Sequence, residues 1–94
     1  MEGFIVDREY KSSLKCLRIG DKIAELPIIQ GGMGVGVSLS GLAAAVANEG
    51  GIGVISATGL SLLYAKSSDS FVEAGNRGLT EEIRKAREKS NGII

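Results

Sequence analysis

Short apolar runs alternate along this chain with stretches of helical period, and their order predicts βα units. Pro27-Ile28-Ile29 is an apolar run that ends at Gln30 and breaks into Gly31, Gly32, Gly34 and Gly36. An apolar run closed by glycines reads as a buried strand whose C-terminal end lets another body approach the backbone. Behind the glycines, Leu39, Leu42, Ala43, Val46 and Ala47 recur at helical spacing and form one apolar stripe. Ser38 or Ser40 is placed to cap this helix, and Gly50 to end it in a left-handed conformation. Its alanines suit close approach to a sheet. Ile52-Gly53-Val54-Ile55-Ser56 predicts a second strand. Residues 27–56 therefore read as one βαβ unit with a site at its mouth.

The flanking segments carry weaker signals. Residues 1–13 mix charge and serine without a period and read as an N-terminal extension. Cys16–Ile19 and Lys22–Glu25 are strand-length segments around Gly20-Asp21, a tight-turn pair that predicts a hairpin. Cys16 is expected to be a small buried residue of its first strand. Ala57 to Ser70 is polar and aperiodic, and predicts a loop longer than the usual βα connection. A last helix is expected from Thr80 to Ser90, capped by Thr80, with Glu81 and Glu82 at its positive end and Lys85, Arg87 and Lys89 at its negative end. Glu81–Lys85 and Arg84–Glu88 fall at i,i+4 spacing, and Leu79, Ile83 and Ala86 form a narrow apolar seam beneath a solvated charged face. The stretch from Phe71 to Gly78 could extend this helix, but Gly75 and Gly78 each cost about 1 kcal/mol there relative to alanine. Asn91-Gly92 reads as a helix stop, and Ile93-Ile94 as the opening of a third strand.

Composition removes several function classes. Eleven basic and eleven acidic residues cancel, so no electrostatic pull toward nucleic acid or membrane lipid is implied. There is no histidine, which excludes a histidine base, a triad or a His-ligated zinc within this chain, and no metal site is expected. No apolar stretch reaches the roughly 18 residues of a membrane span, and the N-terminus lacks the basic start of a signal peptide. The single Cys16 fits a reducing cytoplasm. With 94 residues the chain is far short of the roughly 200 that a closed (β/α)₈ barrel needs, so a portion of a longer chain is expected.

The glycine loop fails two familiar templates. A P-loop requires lysine after its second glycine, but Val37 follows Gly36, so phosphates would lack their counter-charge. A dinucleotide fingerprint from Gly34 and Gly36 requires a third glycine where Leu39 stands; from Gly32 and Gly34 it requires one where Val37 stands. The cluster Gly51-Ile52-Gly53 fails likewise, with Ser56 at its third position. What remains is a loop with more glycines than a turn needs.

Pro27-Ile28-Ile29-Gln30-Gly31-Gly32-Met33-Gly34, the Ala-rich helix, and Ala47-Asn48-Glu49-Gly50-Gly51-Ile52-Gly53-Val54-Ile55 together resemble the start of nitronate monooxygenases, formerly 2-nitropropane dioxygenases. The flavin-dependent enoyl-acyl carrier protein reductases of the same superfamily begin similarly. The resemblance covers about residues 14–94, including the charged last helix and Asn91-Gly92-Ile93-Ile94. It implies an α/β fold: the N-terminal portion of a TIM barrel, about two βα units preceded by the β-hairpin. It further implies FMN as cofactor, with Gly32-Met33-Gly34 against the flavin, Gln30 and Gly31 shaping the strand end, and Ser56 as part of the site wall. No catalytic residue is expected within the chain, because the family's histidine and its phosphate-gripping loops lie downstream. The implied reaction takes a nitronate or nitroalkane and O₂ to a carbonyl compound and nitrite. The alternatives are an enoyl reductase fragment, or a truncated non-catalytic chain needing a partner, whether a second copy or the remainder of the barrel. The isolated chain is expected to be poorly stable and to bind FMN weakly.

Overall fold

A computed structural model of the chain describes residues 14–94, so the predicted extension over residues 1–13 lies outside the described residues. The hairpin forms where the turn pair predicts it. Strands β1 (Leu17–Ile19) and β2 (Lys22–Ala24) run antiparallel, with Leu17 opposite Ala24 and Ile19 opposite Lys22. Gly20 takes the turn at φ +59°, a value that favours glycine. Cys16 is exposed and precedes β1, contrary to its expected burial. It lies outside the paired ribbon, and no described element covers it.

The three remaining apolar runs lie side by side and parallel. Ile29 bridges Ile52, and Ile52 bridges Ile93. The Ile52 amide donates to the Ile28 carbonyl at 2.9 Å, Gln30 to Ile52 at 3.0 Å, and Gly53 to Ile93 at 2.9 Å. Pairing is limited to single bridges, and the expected burial of the first run is not found. Ile28 is 50% exposed and Ile29 57% exposed, because no described element covers their face.

Helix α1 (Ser40–Asn48) packs onto these segments through its smallest side chains. A Cβ on Gly53 would lie 2.1 Å from the Ala43 carbonyl oxygen, and one on Gly92 would lie 2.6 Å from that of Ala47. Glycine on one side and alanine on the other bring backbone against backbone, as the Ala-rich stretch predicts. The buried face is Ser40, Ala43, Ala44 and Ala47, and Leu42 is turned outward. Gly50 follows at φ +95° and closes the helix as predicted.

The region after Ile55 departs most from the sequence reading. A short helix, α2 (Leu60–Tyr64), forms within the predicted loop, and α3 runs from Phe71 to Lys89 rather than starting at Thr80. Ser70 caps α3, its Oγ accepting from the Glu73 amide at 3.1 Å, whereas Thr80 sits in mid-helix and donates to the Asn76 carbonyl. The glycines that argued against this extension are what permit the packing. A Cβ on Gly78 would lie 2.7 Å from the Tyr64 ring, and one on Gly75 would lie 2.9 Å from Ser61 Oγ. They form a shallow groove in which α2 rests, burying Leu60 completely. This contact offsets the helix-propensity cost and gives five residues of α2 a reason to be helical.

The buried stripe of α3 is Ala74, Gly78, Glu82 and Ala86, and Ile83 of the predicted seam is exposed. Glu82 is thus not part of a solvated charged face. It is 4% exposed, and its Oε1 accepts from the Ser40 amide at 2.8 Å while its Oε2 accepts from the Tyr64 hydroxyl. One carboxylate joins all three helices. It also takes over the role expected of Ser38 or Ser40, since the α1 N-cap is Leu39 and no side chain of that turn caps the helix. A carboxylate at the positive end of a helix is favourable. Burial raises the affinity of Glu82 for a proton, but the hydrogen bonds from Tyr64 and Ser40 outweigh it and hold the carboxyl below its usual range. The same Tyr64–Glu82 bond, helped by burial, pushes the Tyr64 hydroxyl up. Lys85 turns toward this pair, 3.6 Å from Glu82, instead of toward Glu81. Arg84 takes Glu81, and also Glu88 at 2.6 Å as the i,i+4 spacing predicts. Among the described residues, no helix is long and apolar enough to cross a membrane.

Candidate functional site

The residues singled out by sequence meet at one place, the C-terminal ends of the parallel segments. The last main-chain bond of the first segment runs from Gln30 to Ile52; beyond it the Gln30 side chain continues the ladder. Gln30 Oε1 accepts from the Val54 amide at 3.2 Å, and Nε2 donates to the Val54 carbonyl at 3.1 Å. A carboxamide presents the same donor and acceptor as a peptide group, so it satisfies Val54 in place of a neighbouring strand. The main chain after Gln30 is released from pairing. It can then turn into the glycine loop without orphaning the second segment.

Ser38 closes that loop. Its hydroxyl is fully buried, accepts from Met33 N at 2.8 Å and from Gln30 Nε2 at 3.0 Å, and donates to the Gly31 carbonyl at 3.3 Å. Its main chain accepts from the Ser56 amide and donates to the Met33 carbonyl, both at 2.9 Å. The sequence pattern alone predicts only a helix-capping role for Ser38. The available signal was a lone hydroxyl directly behind a glycine run, where only a side chain can satisfy turned-in backbone groups. Ser56 stands beneath it, half-buried, with Oγ accepting from the Thr58 amide at 3.3 Å.

The glycines divide into two kinds. Gly34 is set by internal packing, since its Cβ would fall 2.8 Å from Thr58 Cβ. Gly59 answers it one step on: its Cβ would meet Val35 Cγ2 at 2.9 Å, and its φ is +83°. The Val35 amide donates to the Thr58 carbonyl at 2.8 Å, so residues 33–37 and 57–63 interlock into one wall. Gly31 and Gly32 have no such explanation. A Cβ on Gly31 would meet nothing within 4 Å, and on Gly32 it would make only ordinary contact with Val54 Cγ1 at 3.4 Å. Neither has the positive φ that favours glycine. The amides of Gly31, Gly32 and Gly34 find no partner among the described residues. The loop thus offers a flat, side-chain-free stretch of exposed backbone, rimmed by Met33 at 48% exposure. Such a surface fits a planar ring system with hydrogen-bond acceptors at its edge.

The wall carries no acid or base of its own. Residues 30–38 and 54–63 contain no ionisable side chain. The first amide of α1, which in α/β proteins often receives a phosphate, is occupied by Glu82. Nearby, Arg77 pairs with Asp69, holding that carboxyl below its ordinary range, and donates to the Tyr64 carbonyl. No group of His, Cys, Asp and Glu among the described residues could hold a metal ion. A concavity opens at the opposite end of the segments, under the hairpin. Among the described residues, Glu25 is the one ionisable side chain that lines it, beside Ile23, Gly51 and Ile93.

Comparison with known proteins accords with these features. The family model described as nitronate monooxygenase matches residues 18–90, from β1 to the end of α3. Searches of curated proteins and of solved structures return no match.

Proposed function

Because the chain belongs to the nitronate monooxygenase family, we propose that it forms the opening part of an FMN-dependent oxidoreductase. The reaction oxidises nitronates or nitroalkanes with O₂ to carbonyl compounds and nitrite. The observation that carries this reading is the pair Gly31 and Gly32, whose lack of side chains neither backbone conformation nor packing among the described residues requires. A ring approaching the backbone does require it. Gly31, Gly32, Met33 and Gly34 line one wall of the FMN site, with Gln30, Ser38 and Ser56 as the frame behind. The flavin, when bound, supplies the redox chemistry.

The chain's own residues bind and orient. The unpaired amides of Gly31, Gly32 and Gly34 offer donors to the edge of a ring. Ser38 fixes the carbonyls of Gly31 and Met33 inward, which leaves the amides of Gly32 and Gly34, in the same two peptide groups, facing out in a set geometry. Fixed donors lose little on binding, since their ordering has already been met by folding. Proton handling has no candidate on this wall, and it falls to residues outside it.

The fold proposed for the whole protein is a TIM barrel of which this chain forms about two βα units, in residues 14–94. The exposed faces of Ile28 and Ile29, parallel and, among the described residues, bridged on one side only, support further strands and helices covering them. The full-length gene product is expected to be yellow, to release FMN on denaturation, and to form nitrite with consumption of O₂ when given nitronates. A colourless protein that gains no flavin on titration would overturn the reading.

A further inference from the structure

Asn91 and Gly92 follow α3, but they do not end it in the way their sequence predicts. The cap is Ser90, in an extended conformation, and neither residue after it takes a positive φ. Gly92 answers to packing instead. A Cβ there would lie 2.6 Å from the Ala47 carbonyl oxygen, an approach of α1 that only glycine permits. Asn91 has no such reason to be asparagine. Its side chain is exposed and makes no hydrogen bond among the described residues.

An asparagine followed by glycine is chemically labile, because no Cβ on the second residue hinders its nitrogen from reaching the side-chain carbonyl carbon. The Gly92 nitrogen, having lost its proton, bonds to Asn91 Cγ. The Cγ–Nδ2 bond breaks, and Nδ2 takes up a proton and leaves as ammonia. Water then opens the cyclic imide at either carbonyl, giving aspartate or isoaspartate. Isoaspartate routes the main chain through Cγ and so adds a carbon just before Ile93, whose carbonyl accepts from the Gly53 amide at 2.9 Å. Packing thus demands, at position 92, the residue that exposes the seam between the second and third segments to this reaction.

The same turn restrains it. The Gly92 N–H, whose proton must leave, donates to Ser90 Oγ at 2.9 Å, and the Gly92 carbonyl accepts from Arg87 Nη1 at 2.8 Å. Ser90 is 5% exposed, so water competes poorly for its hydroxyl. Ring closure has to break that bond before the nitrogen can attack. We propose that Asn91 is a site of spontaneous deamidation and that Ser90, assisted by Arg87, is the brake that holds the attacking nitrogen.

The test incubates the full-length gene product at mildly alkaline pH and follows conversion of Asn91 by peptide mass spectrometry. Asn48 and Asn76, followed by Glu49 and Arg77, serve as internal references. In urea Asn91 should convert fastest of the three, and in the folded protein its rate should be at least about tenfold lower. Ser90→Ala should quicken the folded-state reaction about fivefold, and Arg87→Ala about twofold. Ser90→Thr, which keeps the hydroxyl, should react like wild type. All four proteins should convert alike in urea, which assigns the difference to the folded turn. A folded Ser90→Ala protein with the wild-type rate would overturn the inference. So would a folded wild type that reacts as fast as the unfolded chain, or an Asn91 no faster than the references in urea. If circular dichroism shows that Ser90→Ala does not fold, Arg87→Ala decides: a rate above wild type supports the brake, and an equal rate overturns it.

Discussion

Glu82 is the residue whose loss should cost the described fold most. Its carboxylate is 4% exposed and accepts from the Ser40 amide on α1 and the Tyr64 hydroxyl on α2. Truncation by Glu82→Ala leaves the buried Ser40 amide without a partner, a loss of about 1–3 kcal/mol. The Tyr64 hydroxyl loses a charge-assisted bond worth a similar amount, partly recovered from water and from Lys85 at 3.4 Å. A total near 3 kcal/mol is expected, a large share of a typical stability of about 5–15 kcal/mol. Urea denaturation followed by far-UV circular dichroism at neutral pH measures it. The pH profile gives a second, independent sign. The folded-state affinity of Glu82 for a proton is depressed from the ordinary value of 4.5, so its contribution is complete above that value and is lost as pH falls through the lower folded-state value. Glu82→Gln keeps the volume but cannot titrate, and should therefore lose less stability than wild type on acidification. A Glu82→Ala protein within about 0.5 kcal/mol of wild type would refute the reasoning. An acid profile unchanged by Glu82→Gln would do the same for its electrostatic part.

Other substitutions probe the packing and the site frame. Gly78→Ala should destabilise by about 1–3 kcal/mol through overpacking against the Tyr64 ring, although propensity alone favours alanine in a helix; chemical denaturation reads the sign. Gln30→Leu removes both bonds to Val54 and the one to Ser38, so amide hydrogen exchange at Val54 should accelerate and FMN affinity should fall together with it. Ser38→Ala leaves the Met33 amide and the Gly31 carbonyl without their internal partner, and should weaken FMN binding at least about tenfold while α1 persists by circular dichroism.

The local elements of the βαβ unit could be read from the sequence because each rests on neighbouring residues. Gly20-Asp21 sets the hairpin turn, and Gly50 with its positive φ stops α1. The alanines of α1 announce a close contact, and the glycines at 53 and 92 receive it. What could not be read depends on residues distant in sequence. Gly75 and Gly78 look like helix breakers until α2 is seen lying on them, since only a tertiary contact gives a mid-helix glycine a purpose. Glu82 looks like one of several surface charges until Ser40, some forty residues earlier, presents its amide. At the site, composition alone could not separate the glycines. Gly34 answers to Thr58, whereas Gly31 answers to nothing within the described chain, and coordinates are needed to tell them apart. Gln30 lies inside the recognised motif, but its use of both amide ends on Val54 follows from how the segments sit side by side.

The most direct test of the glycine wall is FMN affinity in Gly31→Val, measured by fluorescence titration of the flavin-free full-length protein. No described atom lies within 4 Å of a Cβ at this position, so Gly31→Ala should keep the wild-type unfolding midpoint, and urea unfolding of Gly31→Val checks that the larger side chain leaves the protein folded. The side chain would stand where the ring approaches, and affinity should fall at least about tenfold. Wild-type FMN affinity in a folded Gly31→Val protein would contradict the assignment of this backbone to the flavin.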